Sequence, residues 1–219
     1  MLLLGHRGAR RYAPENTLAA FELALDHGCD GFEFDVRLTA DRRPILCHDP
    51  RLAGREIETS RYDQFAPGVP CLPDVLENFA ARAFLDIELK VTGMEAEVAG
   101  LLRERPPRRG YFVSSFLPEV LERLHAADKS VPLGLICNSQ RQLAGWASVA
   151  VGALFLERGL VTPGTVESLQ AAGKQVFVWT VNREREMLQF AELKVDGIVS
   201  DDSRLLAQTL RTKANFSPA

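Results

Sequence analysis

The stretch 31–36, GFEFDV, decides how this chain folds. Side chains two positions apart in a β-strand share a face, so Glu33 and Asp35 point one way while Phe32 and Phe34 point the other. In a closed barrel of parallel strands, the phenylalanines would pack outward against helices and the two carboxylates would point into the mouth of the barrel. The pattern therefore predicts a strand with an apolar outer face and an acidic inner face.

Short apolar runs alternate with amphipathic stretches along the whole chain, which is typical of repeated βα units. The predicted strands cover residues 2–5, 31–36, 83–89, 110–114, 131–136, 152–156, 175–180 and 196–200. The predicted helices include residues 17–27, 73–81, 118–127, 163–172 and 183–193.

Eight parallel strands joined by right-handed crossovers can close into a barrel, and closure removes both sheet edges. We therefore predict an α/β protein with a single, compact (β/α)8 TIM barrel, and a doubly wound open sheet is the alternative. An open sheet collects ligands at one switch point, whereas a barrel collects them from many strand ends, as the polar residues do here. We expect one domain over residues 1–219, with a short irregular loop insertion or small lobe at 49–72, after the second strand.

The composition is that of an ordinary globule with a large core, since 46% of the 219 residues are apolar and 25% are charged. This composition excludes a disordered protein. The formal net charge is -3 and the Lys and Arg residues are scattered, so we expect no binding to nucleic acid or to an anionic lipid surface. Any phosphate is expected to be bound locally.

The targeting signals are few. Three leucines at 2–4 are too short a run for a signal peptide, and no run is long enough to span a membrane, so we expect a cytoplasmic protein without a stable membrane anchor.

The four cysteines form no CxxC pair and are expected to be reduced and mostly buried. We expect the chain after Arg211 to be frayed. The sequence carries no signal for an oligomeric state.

Carboxylates in a barrel mouth need a partner, because desolvation strongly disfavours an unpaired charge. A hard divalent cation prefers carboxylate oxygens as ligands, and a salt bridge to a nearby Arg or Lys is the alternative. In FLDIELK, Asp86, Glu88 and Lys90 again share one face. Glu88 can complete a three-carboxylate cluster with Glu33 and Asp35. Lys90 would face the phosphate, unless it forms an internal ion pair with Glu88, and the deeper Asp86 is expected to be structural.

Two histidines lie at predicted strand ends beside a candidate phosphate ligand. His6 and Arg7 end the first strand in GHRG, and His48 follows the apolar run PILC. Histidine exchanges protons near neutral pH, so a pair can act as acid and base on opposite sides of a phosphorus atom, and the guanidinium fork of Arg7 suits phosphate oxygens. His27 and His125 fall on helical patterns and are expected at the surface. Cys47 should point away from His48, so we do not propose it as a nucleophile.

Further residues of the predicted mouth are candidates for the pocket wall. Trp179 and Asn182 follow the seventh strand, and Phe116 follows the fourth; the alternative for Trp179 is core packing. Glu157, after the sixth strand, and Asp201, after the eighth, are additional candidates.

These motifs, in this order, resemble the glycerophosphodiester phosphodiesterase family. The likeness runs through HRG, PENT, EFDV, HD, DIELK, SSF, WTVN and DGIVSD, and it spans nearly the whole chain. The resemblance implies a barrel that hydrolyses small-molecule glycerophosphodiesters to glycerol 3-phosphate and an alcohol, with one divalent cation, Mg²⁺ or Ca²⁺. By matching positions it implies His6 and His48 as the acid/base pair, Arg7 and Lys90 as phosphate ligands, and Glu33, Asp35 and Glu88 as metal ligands.

The sequence departs from the family pattern in two places. The stretch after HDP is shorter than the usual family insertion and lacks its RTT-like segment, and the end motif is SDDS where the family often has TDYP. Neither departure removes a proposed catalytic residue. The shortened stretch alters the wall that reads the substrate alcohol, and both departures leave the identity of the natural substrate open. A related phosphodiesterase acting on lysophospholipids or another head group is therefore one alternative, and a non-catalytic barrel that binds phosphate esters is another.

Overall fold

The computed structural model describes residues 1–214, with side chains to Arg211, and this part of the chain forms eleven strands and eight helices. The strands are β1 (Leu2–His6), β2 (Gly31–Leu38), β3 (Pro44–Leu46), β4 (Arg51–Leu52), β5 (Arg55–Glu56), β6 (Phe84–Leu89), β7 (Tyr111–Ser115), β8 (Leu133–Cys137), β9 (Ala153–Glu157), β10 (Gln175–Trp179) and β11 (Gly197–Ser200). The helices are α1 (Leu18–Asp26), α2 (Leu72–Phe79), α3 (Glu95–Glu104), α4 (Pro118–Ala127), α5 (Gln140–Ala144), α6 (Pro163–Ala171), α7 (Glu184–Glu192) and α8 (Ser203–Ala214).

Eight of the strands are parallel and close into a barrel, in the order β1, β2, β6, β7, β8, β9, β10 and β11. The barrel closes because β1 pairs with both β2 and β11; Leu4 lies opposite Gly31, and Leu2 lies opposite Gly197. Helices connect the strands around the outside. The prediction of a (β/α)8 barrel is confirmed, and the alternative of an open sheet is wrong.

The outer layer of the core lies between the strands and the helices. Phe32 of β2 stacks on Phe21 of α1 with ring centroids 4.2 Å apart, and the Phe79 ring of α2 meets Phe32 edge-on at 5.1 Å. Phe34 also contacts Phe21, at 5.6 Å. The phenylalanines of GFEFDV therefore face outward, as predicted, which turns the carboxylates of the same strand inward.

The bottom of the barrel interior is filled by aromatic rings packed against glycines. Phe155 and Phe177 stack with centroids 4.6 Å apart. A Cβ at Gly134 would lie 2.5 Å from the Phe155 ring, and one at Gly197 would lie 2.3 Å from the Phe177 ring, so these positions require glycine. Large and small residues alternate around the small barrel so that its taper is filled. The packed rings form a floor, and polar side chains occupy only the space above it.

The segment 49–72 is more ordered than an irregular loop. Strand β3 extends β2 antiparallel, and β4 and β5 form a short hairpin. Ile57 and Phe65 pack with Ile45 of β3 in a small apolar cluster of their own. Hydrophobic burial within the segment accounts for its order and favours the small lobe over the irregular loop of the prediction.

The remaining predictions concern the chain end, the cysteines and membrane segments. Helix α8 continues to Ala214, three residues beyond the predicted start of fraying, and the rest of that prediction, 215–219, lies outside the described residues. All four cysteines are free thiols, and three of them are buried. In the described part of the chain, no helix combines the length and apolarity needed to cross a lipid bilayer.

We expect Phe177→Ala to lower the free energy of unfolding by about 3–5 kcal/mol, because it removes a ring from the barrel floor and leaves a cavity there. Urea denaturation of the variant and the parent protein measures the change. Leu117→Ala is the control, since Leu117 is 42% exposed and should change stability by less than about 0.5 kcal/mol. Equal losses in the two variants would contradict the role assigned to the floor.

Candidate active site

A cavity of about 170 Å³ lies above the aromatic floor, at the C-terminal ends of the barrel strands. Its wall combines charged groups with aromatic and aliphatic side chains. The lining residues are His6, Arg7, Glu33, His48, Asp86, Glu88, Lys90, Phe116, Ile136, Phe155, Trp179 and Val199. Eight of the nine predicted site residues line this cavity. The ninth, Asp35, is buried beside it in the acidic cluster described next.

Three carboxylates come together because strands β2 and β6 are neighbours in register. Asp35 lies opposite Glu88, and Glu33 lies opposite Asp86. Ligand oxygens of Glu33, Asp35 and Glu88 all lie within 4.8 Å of one another. Glu33 Oε1 and Asp35 Oδ1 are buried without a hydrogen-bond partner in the described residues. Buried acceptors of this kind are costly, and a hard cation would satisfy them, so the cluster fits a divalent metal ion.

Two cations balance part of this negative charge. Lys90 Nζ hydrogen-bonds Glu88 Oε1 and lies 3.3 Å from Asp35 Oδ1, and Arg7 Nε lies 3.1 Å from Asp35 Oδ2. The ion pair between Glu88 and Lys90, which the sequence left as an alternative, is therefore present. Three carboxylates face two cations at this point, so one negative charge remains for a further positive partner.

The pKa values of the cluster reflect this incomplete balance. Burial raises the pKa of Glu33 well above its usual value, and the neighbouring carboxylates raise it further. Burial also raises the pKa of Glu88, to about 7, although Lys90 acts in the opposite direction. For Asp35 burial again acts upward, but Lys90 and Arg7 outweigh it and hold the pKa below its usual value. Of these three carboxylates, Asp35 therefore has the strongest preference for the charged form.

The imidazole of His6 is held from one side. Its Nδ1 lies 2.6 Å from Asp201 Oδ1, and its Nε2 lies 3.8 Å from Glu33 Oε2. Burial lowers the pKa of His6, although the hydrogen bond to Asp201 acts to raise it. A neutral imidazole has one N–H, and the Asp201 carboxylate can only accept, so Nδ1 carries the proton and Nε2 is free towards the cavity.

Asp201 is itself held in place by Asn182, which follows β10, the seventh strand of the barrel. Asn182 Nδ2 donates to Asp201 Oδ2 at 2.7 Å, and Asn182 Oδ1 accepts from the Asp201 backbone N–H at 2.9 Å. Burial acts to raise the pKa of Asp201, but the hydrogen bonds from His6 and Asn182 contribute to holding it at about 2. The sequence had marked both residues only as mouth candidates, because the partner of Asp201 is 195 positions away at His6.

His48 approaches the cavity from the small lobe and is more exposed, with 37% of its side chain accessible. Arg37 Nε donates to its backbone oxygen at 2.9 Å, which fixes the main chain at this point. Its Nδ1 lies 2.8 Å from the carboxylate of Asp49, which is 75% exposed. The two histidines therefore differ, since His6 is buried with a rigid partner and His48 has a solvent-exposed one.

The loop after β1 supplies Arg7, whose role was predicted, and also Glu15 and Asn16, to which the sequence assigned no role. Arg7 has a left-handed backbone (φ 52°), which directs its N–H at Glu33 Oε2, 2.9 Å away. Asn16 donates to Asp35 Oδ2 at 2.9 Å and accepts from the Asp35 backbone N–H. Glu15 accepts from Arg7 Nη1 at 2.9 Å. Both Glu15 and Asn16 belong to PENT, so the motif itself was the available signal.

The remaining candidates divide between the wall and positions outside it. Phe116 and Trp179 meet edge-on with centroids 5.5 Å apart, and the Lys90 ammonium lies 5.6 Å from the Phe116 centroid. Trp179 also donates its indole N–H to a backbone oxygen of the barrel wall. Glu157 does not line the cavity; its carboxylate accepts from the backbone N–H of Gly159, so its assignment to the mouth was wrong.

The other two histidines lie away from the cavity. His27 is partly accessible, with Nδ1 2.8 Å from Ser203 Oγ and its ring against Tyr12. His125 is in α4, on the outside of the barrel, and is also partly accessible. Neither can take part in chemistry in the cavity.

Comparisons with known proteins agree with this geometry. The sequence profile of the Glycerophosphoryl diester phosphodiesterase family matches residues 6–62 and 53–205. A Bacillus subtilis protein whose name places it in this family, YhdW, is 30% identical over 92% of this chain and 94% of its own length. The crystal structure of a glycerophosphodiester phosphodiesterase from Agrobacterium tumefaciens superposes with a TM-score of 0.82 at 28% identity, covering 95% of this chain and 99% of that one.

The fold extends to more distant structures. A phosphodiesterase of Oleispira antarctica, solved in complex with the product sn-glycerol-3-phosphate, has a TM-score of 0.85 at 22% identity and covers 96% of this chain and 97% of its own. At that identity the likeness is one of fold. With the profile match, the relatives and the acidic cavity taken together, the chain belongs to the glycerophosphoryl diester phosphodiesterase family.

Proposed function

We propose that this glycerophosphodiester phosphodiesterase hydrolyses its substrate to glycerol 3-phosphate and an alcohol by histidine acid/base catalysis, with one divalent cation, Mg²⁺ or Ca²⁺. The observation that carries the proposal is the set of three buried carboxylates, two of them with unpartnered oxygens, beside two histidines that share one cavity. We propose that the whole chain, 1–219, acts as one domain.

Glu33, Asp35 and Glu88 would hold the cation, since their oxygens are hard donors and carry one negative charge more than Arg7 and Lys90 offset. When bound, the cation would act as a Lewis acid that lowers the cost of negative charge on a phosphoryl oxygen. The chain itself positions these ligands through the paired register of β2 and β6 and through the hydrogen bonds from Asn16 to Asp35.

Arg7 and Lys90 are proposed to bind the phosphoryl group. Both line the cavity, and 12% of each side chain is accessible, so their charges are directed inward. A guanidinium fork matches two phosphate oxygens, and an ammonium group acts as a point charge on a third. Glu15 and Asp35 hold the guanidinium of Arg7 in place, so it loses little conformational entropy when the substrate binds.

We assign the two histidines different tasks. His6 has a free Nε2 because its Nδ1 keeps its proton and donates a hydrogen bond to Asp201, so Nε2 can accept the proton of the attacking hydroxyl as a general base. His48 would then donate a proton to the leaving alkoxide, which is too basic to depart unaided. The attacker is either water, which gives glycerol 3-phosphate directly, or the neighbouring hydroxyl of the substrate's glycerol. The second route gives a cyclic phosphate, which water must then open, with His48 as the base and the protonated His6 as the acid. The P–O bond to the alcohol breaks, and the proton gained by His6 replaces the one given by His48.

The substrate is a small molecule, consistent with the cavity volume of about 170 Å³. The Oleispira antarctica relative in complex with sn-glycerol-3-phosphate supports a glycerol phosphate in this fold. Phe116 and Trp179 form an aromatic wall against which the carbon atoms of such a ligand can pack.

We expect EDTA to abolish hydrolysis of glycerophosphocholine, and Mg²⁺ or Ca²⁺ to restore it, because removing the cation leaves the phosphoryl charge without its strongest partner. Release of glycerol 3-phosphate from glycerophosphocholine, glycerophosphoethanolamine and a lysophospholipid, with and without EDTA, measures both the metal requirement and the substrate.

Metal titration by calorimetry tests the ligands directly. Glu88→Gln should weaken binding at least about 10-fold, whereas Glu77→Gln, an exposed carboxylate on α2, should not change it. Full activity in EDTA would refute the metal requirement. Hydrolysis of the lysophospholipid and of neither glycerophosphodiester would refute the proposed substrate class.

We expect His48→Ala to lower kcat roughly 10²- to 10⁴-fold with unchanged circular dichroism, because the side chain is partly exposed and its loss removes only the proton donor. His125→Ala, outside the cavity on α4, is the matched control. Retention of full activity in the His48 variant would end its assignment as an acid/base residue.

We expect Asp201→Ala to lower kcat roughly 10²- to 10⁴-fold, because His6 would no longer be held with its proton on Nδ1. The ¹⁵N chemical shifts of the imidazole should show a mixture of tautomers in the variant and one tautomer in the parent protein. Asp49→Ala removes the exposed partner of His48 and should cost no more than about fivefold. An unchanged tautomer in Asp201→Ala would contradict the positioning role.

A further inference from the structure

The mechanism above leaves one buried acid of the cavity unused. Asp86 lies on β6 between Phe84 of the aromatic floor and Glu88 of the acidic cluster, and it is 1% exposed. It lines the same cavity as Glu88. Burial raises the pKa of Asp86 well above its usual value, although a hydrogen bond from Ser114 acts in the opposite direction.

Only one oxygen of Asp86 has a partner in the protein. Ser114 Oγ donates to Oδ1 at 2.6 Å. Oδ2 has no hydrogen bond to the described residues, yet it is not among the polar atoms sealed in the interior without a partner. Because Asp86 lines the cavity and Ser114 uses Oδ1, Oδ2 is the oxygen left for a ligand in that space. A structural role alone would use the Ser114 bond and leave the second carboxyl oxygen without a partner, which is unfavourable.

The surroundings of Oδ2 favour the compact arm of a phosphodiester. The cavity is closed below by the packed aromatic rings, so the longer head group must extend outward. The wall on the far side of the barrel from Asp86 is apolar and consists of Ile136, Phe155, Trp179 and Val199. A three-carbon polyol would place its carbon atoms against this wall and a hydroxyl towards Asp86.

We propose that Asp86 is a specificity residue that hydrogen-bonds a hydroxyl of the substrate's glycerol arm through Oδ2, with Ser114 holding the carboxyl in place. The inference rests on the proposed function, because the glycerol arm is that of the proposed substrate. A site built to hydrogen-bond a substrate hydroxyl rejects an analogue without it, because the polar group of the protein is then left unpaired.

Binding of two product-like ligands tests the proposal without requiring turnover. Calorimetric titration with Mg²⁺ present compares glycerol 3-phosphate with propyl phosphate, which has the same carbon count and no hydroxyl. We expect the parent protein to prefer glycerol 3-phosphate by about 10- to 100-fold, as one or two hydrogen bonds to a buried polar group would give. Asp86→Leu should reduce this ratio of affinities to less than about threefold, mainly by weakening the binding of glycerol 3-phosphate.

Two control variants separate recognition from structure. Asp86→Asn keeps a hydrogen-bonding group of the same shape and should retain most of the preference. Ser114→Ala removes the hydrogen bond that holds Oδ1 but keeps the carboxyl, so it should reduce the preference less than Asp86→Leu does.

The outcomes separate the two proposals. A preference that survives in Asp86→Leu, or a parent protein that binds both ligands equally or neither, would overturn the inference. Glycerophosphocholine hydrolysis by the parent protein, measured alongside, reports on the proposed function independently.

Discussion

The placement of three carboxylates inside a protein interior is the constraint on which the site depends. Charges buried in a medium of low dielectric are costly unless they are paired. The chain meets most of this cost with Lys90, Arg7 and the amide of Asn16, each of which reaches Asp35. Because these partners come from the loop after β1 and from the end of β6, the strands β1, β2 and β6 must pair before the charges are balanced. Electrostatic balance and fold are therefore coupled.

The aromatic floor and the polar mouth are two halves of the same arrangement. The rings of Phe155 and Phe177 fill the lower barrel, supported by glycines on neighbouring strands. They exclude water from beneath the cavity, so the carboxylates and histidines above act in a space of low dielectric, where charge interactions are strong. The floor also sets the depth of the cavity, and through it the size of the group that can enter.

The sequence allowed much of this arrangement to be predicted, because strand periodicity is local. The alternation in GFEFDV and FLDIELK was enough to assign both faces of β2 and β6. The role of Asp201 was beyond such reasoning, since its link to His6 depends on strand closure and not on spacing. Glu157 was wrongly assigned to the mouth because of a local contact. Its carboxylate accepts a hydrogen bond from the Gly159 backbone N–H and does not line the cavity.

The contact between the first and last strands also bears on how the protein is made. His6 leaves the ribosome before Asp201 and the strand β11 beside it, because Asp201 lies 195 positions later in the chain. A nascent chain therefore carries the imidazole long before its carboxylate partner has been synthesised. Fragments that end before Asp201, whether from stalled translation or from proteolysis, cannot assemble this pair. The pair of His6 and Asp201 therefore forms only once β11 has been synthesised.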